Sequence, residues 1–195
     1  MKTLLFSHSL VSDWNHGNAH FLRGVVSELL ARGHQTIAFE PKNSWSLKNL
    51  RDDHGDEPIF RFHAAYPHLR IRTYSLDTID LERVLDGVDL VLVHEWNDHE
   101  LVRRIGKMRA RGGSFRLLFH DTHHRCVTAP ESMAAYDLSH YDGVLAFGDV
   151  IRDLYLSRGW ARRAWTWHEA ADIQVFHPVG CDNSEGDLVW IGNWG

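Results

Sequence analysis

The chain is poor in cysteine, in long apolar runs and in excess charge of the basic sign. Cys126 and Cys181 are the only cysteines in 195 residues. A disulfide framework is therefore not expected, and a reduced, cytoplasmic setting fits. No apolar stretch approaches transmembrane length. The opening Met1-Lys2-Thr3-Leu4-Leu5-Phe6 is broken by Ser7-His8-Ser9 before it reaches the length of a signal-peptide core. The formal net charge is -5, which leaves no electrostatic footprint for nucleic acid. No run of like charges suggests a membrane-surface patch. Three chemical signatures are also missing: GxGxxG, the phosphate-binding GxxxxGK[ST], and HExxH. Dinucleotide, P-loop and zinc-protease readings lose ground accordingly.

What is present is an ordinary soluble core, 44% hydrophobic and 24% charged, with fifteen histidines and eight tryptophans. The length suits one good-sized domain, or one domain and the beginning of another. Thr3 to Ser7 reads as a strand. After the loop Ser12 to Gly17, Asn18 can cap a helix with apolar positions Phe21, Leu22, Val25, Val26, Leu29 and Leu30, stopped by Gly33. Gln35 to Glu40 is a second strand, so the chain opens β-α-β. Residues 42–68 are hard to read, with a short helix over Lys42 to Leu50 and a polar loop over Asp52 to Pro58. Further strands are expected at Ile71–Tyr74, Asp89–Val93, Phe115–Phe119, Gly143–Phe147 and Arg163–Trp167. Helices are expected at Thr78–Leu85, Asp98–Arg111, Glu131–Leu138 and from Val150 to Gly159. Strands alternating with helices predict an α/β fold: a Rossmann-like parallel sheet covered on both faces.

The stretch Arg116 to Arg125 anchors the functional reading. An apolar strand runs into His120-Asp121-Thr122-His123-His124. The other strands end alike, at Ser7-His8, Glu40-Pro41-Lys42, His94-Glu95-Trp96, Gly148-Asp149 and His168-Glu169. In a parallel sheet these ends share one edge, where ligands bind beyond the strands. A shared polar cleft is therefore expected. His120 is its best-placed member. His94 is equally compatible with a scaffold role, and of the adjacent His123 and His124 only one can face the cleft. Trp14 and Trp96 fall in crevice loops, where they would stack on a sugar or base or simply lid the core. His16-Gly17-Asn18 would let backbone approach a ligand beside a helix N-terminus. Trp165 and Trp167 alternate, so burial on both faces of a strand is their default reading. A metal-dependent hydrolase using His94, His120, Asp121, His123 and His124 is the competing chemistry. A non-catalytic sugar- or nucleotide-binding module is a third reading.

The closing segment carries a family resemblance. Ala170-Ala171-Asp172-Ile173-Gln174-Val175-Phe176-His177-Pro178 resembles the N-G-V-D-x-x-x-F-x-P stretch that closes the N-terminal domain of GT-B glycosyltransferases, matching at Asp172, Phe176 and Pro178. Glu169-Ala170-Ala171 stands in place of Asn-Gly-Val. Residues 186–195 are similar to the first strand and glycine loop of the donor-side domain. The Trp-rich stretch from Tyr155 to Glu169 looks closest to CgeB-like, family-4-type members. The resemblance implies that residues 1–178 form the acceptor-side N-terminal domain, and that 179–195 link to a C-terminal donor-binding domain. It implies transfer of a sugar from a nucleotide-sugar donor to a hydroxyl acceptor, with no metal and no other cofactor required. The family's functional histidine maps onto His120, as donor-positioning group or as base. His8, Trp14, Gly17, Asn18, His94, Asp121 and His123 would line the cleft. Gly17 would correspond to the first-loop glycine near the donor diphosphate, though Asn18 replaces a second glycine. Gly192 and Gly195 would begin the donor-side loop. The face such a second half normally covers would also offer a surface for a homodimer.

Overall fold

The structure, a computed structural model, describes residues 1–178; the expected donor-side stretch 179–195, with Gly192 and Gly195, lies outside the described residues. In chain order the elements are β1 (Lys2–Phe6), α1 (Asn18–Ala31), β2 (Gln35–Pro41), α2 (Trp45–His54), α3 (Glu57–Ala65), β3 (Ile71–Tyr74), α4 (Leu81–Leu85), β4 (Leu90–His94), α5 (His99–Ala110), β5 (Arg116–Asp121), α6 (Arg125–Thr128), α7 (Pro130–Ala134), β6 (Gly143–Ala146), α8 (Asp149–Ser157) and β7 (Ala164–Thr166). The strands form one parallel sheet in the order β3-β2-β1-β4-β5-β6-β7. The α/β, Rossmann-like expectation is met. Strand order reverses at β1, which has β2 on one side and β4 on the other. That reversal opens a crevice beyond the carboxyl ends of the strands.

Side chains alternate across each strand, which divides the core in two. On one face Leu4, Phe6, Val91, Val93, Leu117 and Phe119 pack with Leu101, Val102 and Ile105 of α5 and Tyr155 of α8. On the other, Leu5, Ala38 and Leu92 pack with Phe21, Leu22 and Val26 of α1. Each such side chain, once buried, contributes about 1.5–3 kcal/mol. Gly33 ends α1 at φ 79°, and the His34 N–H reaches back to the Leu29 carbonyl at 3.0 Å.

The structure departs from the sequence reading in places with identifiable causes. The polar stretch near residue 57 is not only loop. Pro58 sits in the first turn of α3, where its missing N–H costs nothing, and Ile59 and Phe62 bury its inner face. A one-turn α6 follows the histidine cluster. Asn18 does not cap α1: Gly17 holds that position, and Asn18 instead donates from Nδ2 to Thr122 Oγ1. Trp165 is not buried but 45% exposed, because β7 is an edge strand. The Asp172 segment crosses α1 at Gly24, where a Cβ would come within 3.0 Å of the Asp172 Cβ.

Candidate functional site

Four buried imidazoles line the carboxyl edge of the sheet. His8 follows β1, His16 comes from the β1–α1 loop, His94 ends β4, and its paired partner His120 is the last residue but one of β5. Their ring centroids run 5.3 Å (His8 to His16), 6.0 Å (His16 to His94) and 5.1 Å (His94 to His120). Trp45 extends the row beyond His8 at 4.7 Å, and Trp167 extends it beyond His120 at 4.9 Å. Trp14 packs edge-on against Trp45, with its indole N–H held by Asp53 at 2.7 Å. The loop geometry that brings His16 inward includes Asn15 at φ 45°, a backbone region that asparagine tolerates.

Burial withholds charge from the whole row, since a desolvated imidazolium is costly. His8 is lowered to about 4 by burial and then by His16. His16 is lowered to about 4 by burial and then by the buried Arg23, with the Ser9 backbone opposing. His120 is lowered to about 3 by burial. His94 falls well below the ordinary histidine value, by burial first and by His120, His16 and His8 next. At neutral pH the row is an uncharged set of donors and acceptors.

Hydrogen bonding separates scaffold from free groups. His94 Nδ1 accepts the Trp96 N–H at 3.5 Å, which leaves its proton on Nε2, facing Thr122 Oγ1 at 3.3 Å. Thr122 in turn donates to Glu95 Oε1 at 3.1 Å. His94 is thus fully engaged. His8 Nε2 accepts the Ser46 N–H at 3.4 Å and lies 3.1 Å from Ser44 Oγ. His120 differs: it is 1% exposed, and neither ring nitrogen has a partner. His16 Nε2 is similarly unpaired. Buried polar atoms without partners cost stability and call for an explanation.

The remaining expected residues fall in three places. Asp121 points to the opposite face from His120, where Oδ2 accepts from Tyr155 Oη at 2.8 Å and from Cys126 Sγ at 3.1 Å. It braces the core rather than lining the cleft. His123 is half-buried, stacked on His124 at 4.0 Å and edge-on to Trp96 at 5.5 Å, away from the imidazole row. Gly17 lies open beside the row, with nothing within 4 Å of where a Cβ would sit. The hydrolase ligands therefore do not converge. Among the described residues no group of three or more His, Cys, Asp or Glu side chains is placed to hold a metal ion.

No sequence pattern assigns a specific site role to His16, Trp45, Glu95 or Arg125. Glu95 is buried, pushed up to about 8 by burial and then by Asp121, with Arg125 opposing. Arg125 donates to its Oε2 at 2.8 and 3.1 Å and stacks over Trp96 at 4.1 Å. Beside these groups lies an open cavity of about 620 Å³, walled by His8, Trp45, Tyr74, Trp96, Arg125 and Tyr136. It sits beyond β2, β3 and β4 and so spans the switch point at β1.

The fold and site define an α/β protein with a Rossmann-like parallel sheet and an aromatic, histidine-lined crevice at its carboxyl edge. No protein-family model matches this sequence, and no curated protein matches it.

Proposed function

We propose that this chain is the acceptor-side half of a GT-B glycosyltransferase, working with a donor-binding domain to move a sugar from a nucleotide-sugar to a hydroxyl. The observation that carries the reading is His120. A buried imidazole with two unpaired nitrogens, near the carboxyl end of β5, is a group prepared for a partner that this half does not supply. The Asp172 segment supports it, since the stretch that resembles the domain-closing motif lies against α1 beside the row.

The chemistry of His120 follows from its environment. A general base works best with a pKa near the operating pH, and a value of about 3 makes this imidazole a weak one. Its role is to exchange hydrogen bonds with a sugar hydroxyl or phosphate oxygen. His94, locked through Thr122 and Glu95, positions the neighbouring ring. Gly17 leaves room for a ligand at the N-terminus of α1. The 620 Å³ cavity, with Trp45 and Trp96 in its walls, is where the acceptor enters.

The isolated chain is expected to fold and to transfer no sugar when supplied with nucleotide-sugars and a panel of hydroxyl acceptors. Turnover by this chain alone would sink the half-enzyme reading. Elemental mass spectrometry on protein purified without chelator tests the competitor. The expected result is less than a tenth of an equivalent of zinc, iron or manganese. About one equivalent, lost in His120→Ala and His94→Ala, would establish the hydrolase instead.

A further inference from the structure

A second cavity, of about 460 Å³, lies on the face of the sheet opposite α1, along β1, β2 and β3. Its origin is topological. The connection from β3 back to β4 contains only α4, five residues long, so no full-length helix covers this part of the sheet. The floor is apolar: Leu4, Ile37 and Phe39 from the strands, with Ile79 and Val84 from the α4 side. Leu4 and Phe39 are buried, while Ile37, Ile79 and Val84 remain half-buried.

The rim is mainly basic. Lys2, Lys42, Arg72 and Arg83 line the cavity, against a single carboxylate, Asp80. Asp80 is already engaged, accepting the Arg83 backbone N–H at 3.1 Å as the cap of α4. Among the described residues none of the four cations lies within ion-pair distance of a carboxylate, whereas nine other arginines and one lysine do. Lys2 Nζ instead bonds the Asp86 carbonyl at 2.5 Å. In a chain of net charge -5, unpaired cations gathered round an apolar floor are a local inversion of the surface.

We propose that this groove binds an anionic amphiphile, a molecule with an apolar body and an acidic head. The body lies on Leu4, Ile37, Phe39 and Val84. The head is held by Arg72, Arg83 and Lys42. Apolar area supplies the attraction and the cations select the charge. A free anion would leave the floor wet, and a neutral amphiphile would leave the cations without counter-charge. The groove meets the crevice at Lys42, Tyr74 and Ser75, which line both cavities. This site does not depend on the transferase reading.

Isothermal titration calorimetry with dodecyl phosphate, kept below its critical micelle concentration, tests the proposal on the whole chain. One saturable equivalent is expected. Inorganic phosphate and dodecyl maltoside should each bind at least tenfold more weakly, which separates the head and the body from their combination. Arg72 and Arg83 are exposed, so the double variant Arg72→Glu/Arg83→Glu should fold and lose at least tenfold in affinity. Methyl resonances of Ile37 and Val84 should shift on titration. Equal binding of the maltoside, an unaffected double variant, still methyls, or no binding of dodecyl phosphate would each overturn the assignment.

Discussion

Arg125→Ala is expected to destabilise the protein by about 1.5–3 kcal/mol at pH 8, although Arg125 belongs to a one-turn helix. The reason is its partner. Glu95 is fully buried, and its carboxylate accepts from the Arg125 guanidinium, from the Thr122 N–H at 2.9 Å and from the Thr122 hydroxyl. Without Arg125 the buried Glu95 takes up a proton, and what is lost is its charge-assisted hydrogen bonds, worth about 1.5–3 kcal/mol. Arg125 also donates to the Glu95 carbonyl at 3.1 Å, so the backbone turn after β4 loses support as well. The effect has a pH signature. Burial already raises the Glu95 carboxyl to about 8, and without Arg125 it rises further. A carboxyl whose folded value lies above its unfolded value binds more protons when folded. Stability therefore falls as pH rises through the window from about 4.5 upward. The variant should accordingly lose less at pH 6 than at pH 8, because at pH 6 Glu95 is protonated with or without Arg125, whereas near pH 8 the wild type begins to gain an ion pair that the variant lacks. Glu95→Gln, which keeps the shape and removes the charge, should cost less than Arg125→Ala. Urea denaturation at the two pH values reads all of this. A loss under 1 kcal/mol at pH 8 would show that the pair carries no such weight.

That pair also shows where sequence reasoning reaches and where it stops. The repeated alternation of apolar runs with helical spacing is enough to give the parallel sheet, because β-α-β order fixes strand direction and hence places every strand end on one edge. His8, His94 and His120 can be gathered on that edge without coordinates. The face each strand-end side chain takes depends on the last residue in regular pairing. Asp121 still belongs to β5, so it alternates away from His120 and joins Tyr155 and Cys126. His16 and Trp45 come from loops and helix starts that no periodicity registers. Glu95 reads as one more polar strand end, yet its importance lies in Thr122 and Arg125, far downstream, and pairing at that separation leaves no local pattern. Helix α3 is hidden for a related reason: its charged outer face and Pro58 resemble loop composition, and only burial of Ile59 and Phe62 reveals its inner side.

Acidification from pH 7 to pH 5 is expected to remove about 3–5 kcal/mol of stability, more than ordinary surface titration produces. The imidazole row sets the sign. His8 and His16 lie near 4 and His120 near 3 when folded, and His94 lies well below its unfolded value of about 6.5. Below pH 6.5 the unfolded chain takes up protons that the folded chain refuses. Stability is thus pH-independent from this source above about 6.5 and falls as pH drops toward 4. A refused proton costs about 1.4 kcal/mol for every pH step below the unfolded value, so His8, His16 and His120 each cost roughly 2 kcal/mol by pH 5, and His94 acts in the same direction. Two carboxyls act in the opposite direction. Glu40 and Glu95 are both raised by burial, so their neutral forms become compatible with the fold as pH falls, and Glu95, at about 8, returns roughly 2 kcal/mol. Four imidazoles outweigh two carboxyls, and the net loss is a large part of the ~5–15 kcal/mol that a domain has in total. Urea midpoints at pH 7 and pH 5 measure it. His120→Phe should fold, since the ring is walled by Phe21, His94 and Trp167 at 5.8, 5.1 and 4.9 Å and bonds to nothing. It should also flatten the pH dependence by about one proton. Equal midpoints at the two pH values would mean that the row is hydrated and titrates normally, and the uncharged crevice floor on which the role of His120 rests would go with it.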